Sequence, residues 1–304
     1  MEVGPSIAEE IRDLARERDA VVLAHNYQRA EIQDTADFVG DSLGLSRQAA
    51  ATSASTIVFA GVHFMAETAK ILSPQKTVLM PEPGAGCPMA DMMSADELAS
   101  WREANPGVPV VTYVNSSADV KALSDVCVTS ANAVGVVRAL DADRILFGPD
   151  RNLASWIARS LPDVEVVPWE GCCPIHDEVT VQQVLEAKRV HAAAEVMAHP
   201  ECRPEVVDLA DAVLSTSQML AYAAESSADE FIVVTEEGLL HGLSKAAPGK
   251  RFVNLTPPML CPNMKVTTIE KVRDCLRDTT GEIDVAEEVR ERALAAVGRM
   301  VAIG

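Results

Sequence analysis

A chain of 304 residues, 48% hydrophobic and 23% charged, has the composition of a core-forming protein and is long enough for one large domain or two to three small ones. Its formal net charge of −19 excludes a nucleic-acid or anionic-membrane surface as the working feature, because both need clustered Lys and Arg. Any anionic ligand must therefore be held by local groups. No run of about 18 apolar residues occurs and residues 1–19 carry no apolar signal core, so the expectation is a soluble, cytoplasmic protein.

Residues 1–19 instead read as a charged helix around Ile7, Ile11 and Leu14. Ala20 to Ala24 is an apolar run ending in His25-Asn26-Tyr27, the pattern of a buried parallel strand with polar residues at its C-terminal tip. Gly40-Asp41-Ser42 precedes a helix-like stretch from Leu43 to Ala51, with Ser42 placed as its cap. Thr56 to Gly61 is strand-like, Phe64 to Leu72 helical and Thr77 to Met80 a further strand, which runs into a Gly/Pro-rich loop holding Cys87. The same order returns twice. Val108 to Val114 ends in Tyr113-Val114-Asn115, Ser130 precedes a helix from Ala131, and the strand from Val164 leads to Gly171-Cys172-Cys173-Pro174. Glu195 to Ala198 ends in His199-Pro200-Glu201, Thr216 precedes the helix Gln218 to Ala224, and the strand from Arg251 leads to Cys261.

The intervals are regular. His25, Tyr113 and His199 stand 88 and 86 residues apart, as do Ser42, Ser130 and Thr216, while Cys87, Cys173 and Cys261 stand 86 and 88 apart. Three landmarks on one period define a threefold internal repeat of a β/α unit. The expected fold is α/β: three homologous αβα domains with parallel sheets around a pseudo-threefold axis and a central active site. The boundaries are 1–105 for the N-terminal helix and first repeat, 106–191 for the second, and 192–304 for the third with the C-terminal helices. The tail from Thr267 is outside the repeat and is expected to pack over it.

Ligands of open α/β sheets bind beyond the C-terminal strand ends, where every landmark lies. Three thiolates from three loops suit a zinc ion with an open position or a cubane iron-sulfur cluster with one free iron. The register selects Cys173 over its neighbour Cys172. Cys127 and Cys275 sit in helix or strand patterns and read as buried apolar residues, and the pattern leaves Cys202 undecided. The hydroxyls of Ser42, Ser130 and Thr216 read as helix N-caps that also point a helix N-terminus at an anion. His25, Tyr27, Tyr113, His199 and Glu201 are candidate proton-transfer groups, with Asn115 an orienting donor. A non-enzymatic sensor of an anionic metabolite is the alternative from another class, and it leaves the paired histidines and Glu201 without a role.

The stretch from Gly61 to Lys70, together with His25-Asn26-Tyr27, Thr112 to Asn115, His199 to Cys202, Ser215 to Met219 and Cys261 to Lys265, resembles the quinolinate synthase family over nearly the whole chain and in the same order. The resemblance implies a 4Fe-4S cluster on Cys87, Cys173 and Cys261, its fourth iron open as a Lewis acid. It implies an enzyme of NAD biosynthesis that condenses iminoaspartate with dihydroxyacetone phosphate to quinolinate, phosphate and water. By the same resemblance the substrate contacts are His25, Ser42, Tyr113, Val114, Asn115, Ser130, His199, Pro200, Glu201 and Thr216. Tyr27 and Glu201 are the acid/base pair, assisted by His199 and Tyr113, and an aspartate oxidase or dehydrogenase supplies the imine. Some members carry a second cysteine three positions before the last ligand; here that position is Pro258.

Overall fold

The central strands of this chain are apolar on both faces, which requires helices on both sides of each sheet. The computed structural model describes residues 6–303; residues 1–5 and Gly304, the outermost ends of the first and last expected segments, lie outside it. Among the described residues twelve strands form three four-stranded sheets, and every pairing is parallel. The first sheet holds β1 (Ala20–His25), β2 (Phe38–Gly40), β3 (Thr56–Ala60) and β4 (Thr77–Leu79), in the order β2-β1-β3-β4. The second holds β5 (Val110–Tyr113), β6 (Val126–Val128), β7 (Arg144–Gly148) and β8 (Glu165–Pro168), in the order β6-β5-β7-β8. The third holds β9 (Glu195–Ala198), β10 (Ala212–Val213), β11 (Glu230–Val234) and β12 (Arg251–Val253), in the order β10-β9-β11-β12.

Alternation along the strands divides the core into layers. In β1, Val21 and Leu23 join one apolar cluster while Val22 and Ala24 join another, and in β3 Ile57 and Phe59 part from Val58 and Ala60 in the same way. In β11, Phe231 and Val233 face one cluster and Ile232 and Val234 the other.

The sequence does not show β2, β6 or β10 as strands. They are two or three residues long, too short for a period, and a polar device places them. Asp37, Asp125 and Asp211 each accept the N–H of Val22, Val110 or Val196 on a carboxylate oxygen at 2.8 Å and donate their own N–H to the same residue's carbonyl. These aspartates are again 88 and 86 residues apart, so the repeat extends to side-chain contacts.

The two C-terminal helices do not pack with the third unit to which chain order joins them. Helix Ile269–Asp278 lies against helix Ile7–Glu17 and β3, both in the first unit. Helix Glu287–Ala302 lies against Ala118–Ala122 and β6 of the second unit and His63–Leu72 of the first, filling the seam between them. Its Ala293, Ala296, Val297 and Met300 are fully buried at helical i, i+3, i+4, i+7 spacing, which is the apolar stripe that directs it there. Arg47 of the first unit and Asn132 of the second bond its last carbonyls, Asn132 Nδ2 reaching Met300 O at 3.0 Å and Ile303 O at 2.8 Å. Among the described residues no helix is long and apolar enough to cross a membrane.

If this helix is part of the core, Met300→Ala lowers the unfolding free energy by about 3 kcal/mol. Leu294→Ala on the same helix, at a position 39% exposed, changes it by less than about 0.5 kcal/mol. Equal effects in chemical denaturation would contradict the packing.

Candidate active site

In each sheet the strand order reverses between the first and third strands of the unit, and in folds of this kind the crevice beyond that point receives the ligand. The three crevices meet in one cavity of about 210 Å³ lined from all three units. His25 and Tyr27 follow β1, Tyr113 and Asn115 end and follow β5, and His199 and Glu201 follow β9, all on its wall. Alternation sends the residue between each pair the other way: Val114 is in the apolar core, and neither it nor the buried Pro200 lines the cavity.

The two histidines are held alike. Nδ1 of His25 accepts the N–H of Tyr27 at 3.1 Å, and Nδ1 of His199 accepts that of Glu201 at 3.3 Å. A ring nitrogen that accepts carries no proton, so both neutral rings present Nε2–H. Burial lowers His25 to about 3, helped by neighbouring His199, and lowers His199 to about 4, so both are neutral donors near pH 7.

The three hydroxyls line the cavity, but not as the caps the sequence suggested. Asp41 caps helix Ser42–Ala51 through Gly44 N at 2.8 Å, and Ser215 caps helix Thr216–Glu225 in a reciprocal pair with Gln218. An acceptor one residue earlier wins the cap in both cases, leaving Ser42 and Thr216 on the first turn. Ser130 lies in a turn closed by Asn132 on Thr129, before a helix that begins at Ala133. The displaced hydroxyls are free to bond across unit boundaries. Asn26 of the first unit donates to Thr216 of the third at 2.8 Å, and His199 Nε2 of the third donates to Ser130 of the second at 3.2 Å. The third boundary, between Asn115 and Ser42, has no such bond, and the buried Asn115 Oδ1 has no partner among the described residues.

Glu201 is the hub of the wall. His176 Nδ1 meets its Oε2 at 2.8 Å and Cys173 Sγ at 3.2 Å, while His176 Nε2 meets Thr235 Oγ1 at 2.9 Å and Thr235 meets Tyr27 OH at 2.6 Å. An ionised carboxylate only accepts, so His176 Nδ1 is the donor and, in the neutral ring, Nε2 accepts from Thr235, which accepts from Tyr27. Burial alone would raise Glu201, but His199, His176 and a hydrogen bond from Tyr113 outweigh it and hold the carboxyl at about 2. Burial, and after it Glu201, pushes Asp150 upward, while the N–H groups of Leu153, Cys173 and Asn152 on its two oxygens pull the other way. Burial, and after it Glu201, pushes Tyr27 and Tyr113 well above the usual phenol value.

Cys87, Cys173 and Cys261 all line the cavity. Each precedes a proline and a short turn: Cys173 and Cys261 are the residues before helices Pro174–Asp177 and Pro262–Lys265, and Cys87 precedes the turn Ala90–Met92. Burial pushes the Cys87 thiol to about 12 and raises Cys173 and Cys261, Cys261 adding to the shift of Cys87 and Cys87 to that of Cys173. Backbone N–H groups oppose this from the same offset in each loop, Ala90 on Cys87, His176 on Cys173 and Met264 on Cys261. Three thiols on one cavity wall, each with a backbone N–H turned toward its sulfur, fit a bound polycation, which would convert them to thiolates. Cys173, His176 and Glu201 form a second donor set, with ligand atoms within 4.8 Å of one another. Among the described residues no lysine or arginine lines the cavity.

The other cysteines do not contribute. Cys127, Cys202 and Cys275 are buried in apolar clusters, which settles Cys202 as a core residue, and Cys172 is not on the cavity wall. His63, His191 and His241 pair with Glu67, Glu230 and Asp34 away from the cavity. His176 has no strand-tip counterpart in the repeat, but the sequence sets it beside the Cys173 loop as a hydrogen-bonding neighbour, and its contacts with Cys173 and Glu201 lie there. Thr235 gave no signal in the sequence, because its role depends on residues 59 and 208 positions away.

A family model described as quinolinate synthetase A protein matches residues 9–302. Proteins named quinolinate synthase from Thermodesulfovibrio yellowstonii and Desulforudis audaxviator are 50% and 52% identical to this chain, over 97% and 100% of both partners. One from Methanoregula boonei is 52% identical over 98% of each. The chain belongs to the quinolinate synthetase A family of enzymes.

Proposed function

We propose that the chain condenses iminoaspartate with dihydroxyacetone phosphate to give quinolinate, phosphate and two waters, with a 4Fe-4S cluster held by Cys87, Cys173 and Cys261. The observation that carries this reading is the meeting of three equivalent Cys-Pro turns in one cavity with the strand tips of all three units. Such a cluster leaves one iron without a protein ligand and supplies a Lewis acid to a substrate oxygen or nitrogen. The set Cys173, His176 and Glu201 favours a single zinc ion instead, but that reading leaves Cys87 and Cys261 as idle thiols on the cavity wall.

The chain's own residues bind and orient. Both substrates are anions, and the cavity meets them with neutral donors: Nε2–H of His25 and His199 and the hydroxyls of Ser42, Ser130 and Thr216, two of them on the first turn of ten-residue helices. Asn115, with its orphaned Oδ1, accepts from a substrate N–H or O–H and closes the one boundary the protein leaves open. Tyr27, held as a phenol, is the acid, and Glu201, held ionised, is the base. The two communicate through Thr235 and His176. At about 2, Glu201 first orients its donors; it takes a proton when substrate displaces one of them. The imine has to be supplied by an aspartate oxidase or dehydrogenase in the cytoplasm.

The decisive assay uses protein reconstituted without oxygen and supplied with oxaloacetate, ammonia and dihydroxyacetone phosphate. Quinolinate is the expected product, and a fully loaded protein that makes none refutes the assignment. Glu201→Gln is expected to lower turnover by at least about 100-fold, the usual scale of a lost acid/base group.

Cys173→Ser loses most of its iron and the brown colour, while Cys172→Ser keeps both. A parent protein that retains zinc and stays colourless would favour the single-ion reading.

Neutral, buried His25 and His199 also set a pH dependence. Between about pH 6.5 and pH 4 the unfolded chain binds protons that the folded chain refuses, so stability falls as pH falls. At pH 5 the loss is about 2 kcal/mol for each histidine relative to pH 7. Denaturation of the metal-free protein at the two pH values measures it, and His25→Gln should remove its share.

A further inference from the structure

Two of the three cysteine loops are backed by a carboxylate from the neighbouring strand. Asp150 follows β7 and Glu236 follows β11, 86 residues apart and both fully buried. Asp150 Oδ2 accepts the backbone N–H of Cys173 at 3.0 Å, and Glu236 Oε1 accepts that of Cys261 at 3.2 Å. The second oxygen of each takes an N–H just beyond its own strand: Leu153 N on Asp150 Oδ1 at 2.6 Å and Gly238 N on Glu236 Oε2 at 2.7 Å. Each carboxylate thus ties the loop after the fourth strand of its sheet to the end of the third.

The first unit has no such tie. Val62 occupies the equivalent position and cannot accept a hydrogen bond through its side chain, and no acceptor reaches the Cys87 N–H among the described residues. The Cys87 loop is held by its carbonyls, Ala85 O accepting from His63 N at 2.9 Å and Gly86 O from Asn263 Nδ2 of the Cys261 turn at 2.9 Å. Glu236 also pairs with Lys265 at 2.9 Å, and Lys265 donates to Tyr27 O at 2.6 Å, so the same carboxylate connects the Cys261 turn to the loop that carries Tyr27.

We propose that Asp150 and Glu236 are positioning residues that fix the main chain at Cys173 and Cys261 for metal binding, leaving the Cys87 loop as the one that adjusts. The proposal rests on the three-cysteine reading above. A carboxylate offers an acceptor on each oxygen and an amide on only one, so Asp150→Asn and Glu236→Gln each break one of the two ties at nearly constant volume. Loss of a partner behind a metal ligand costs 10- to 100-fold in metal affinity as a rule.

The test compares the reconstituted parent with both variants for iron content, for the rate at which a chelator removes iron, and for the electron paramagnetic resonance signal of the reduced protein. Backbone amide exchange is followed on the metal-free forms. Iron loss at least about 10-fold faster in each variant is expected, with a changed signal. Exchange at Cys173 or Cys261 rises in the matching variant, and the Cys87 loop is unaffected. In the metal-free parent, a comparison that needs no variant, the Cys173 and Cys261 amides exchange more slowly than the Cys87 amide. Variants that release iron at the parent rate, or a Cys87 amide as protected as the other two, overturn this proposal alone. A parent that holds no iron overturns the three-cysteine reading and the proposal with it.

Discussion

A parallel sheet with helices on both faces has only its strand ends free for chemistry, and this molecule turns three sets of C-terminal ends toward each other. Each polar group of the cavity except the late turns of the cysteine loops is therefore within a few residues of a strand end or on the first turn of the helix that follows. The cost is desolvation. His25 and His199 stay neutral, the phenols and thiols keep their protons, and Glu201 is held ionised only by the donors around it. In this acidic protein no lysine or arginine among the described residues stands on the cavity wall, so the wall itself offers oriented neutral donors and not fixed positive charge.

The scaffold repeats but the chemistry does not. The strand tips read His-Asn-Tyr, Tyr-Val-Asn and His-Pro-Glu, and the donor bond from tip to neighbouring hydroxyl is made at two boundaries and left open at the third. Carboxylates stand behind two cysteines and a valine behind the other. An exact threefold site would offer three identical corners; the copies instead have diverged where they face the cavity while keeping the Asp37, Asp125 and Asp211 contacts that build the sheets.

Much of this was legible in the chain itself. Long apolar runs marked the central strands, and a period carried by residues as distinct as cysteine, serine and histidine chose Cys173 over Cys172 without any structure. What escaped detection has physical causes. Strands β2, β6 and β10 are too short to show alternation and depend on single aspartates. The capping positions were misplaced by one because Asp41 and Ser215 precede the landmark hydroxyls and accept first. Thr235 matters through Tyr27 and His176, partners that the sequence separates from it by 208 and 59 residues, a relation no local pattern encodes. The C-terminal helices were assigned by chain order to the unit they follow, and the apolar stripe of the last one, though visible as spacing, does not name its partner surface.

That last helix also orders events during synthesis. Asn132, which holds its final turn, is made 168 residues before Met300, so the first two units leave the ribosome with their common seam uncovered. Until the helix arrives, the surfaces around Ala118–Ala122 and His63–Leu72 lack their apolar cover. Closing this seam is therefore among the final steps of folding, and a chaperone would meet a nascent chain whose first two units still expose apolar surface along their joint.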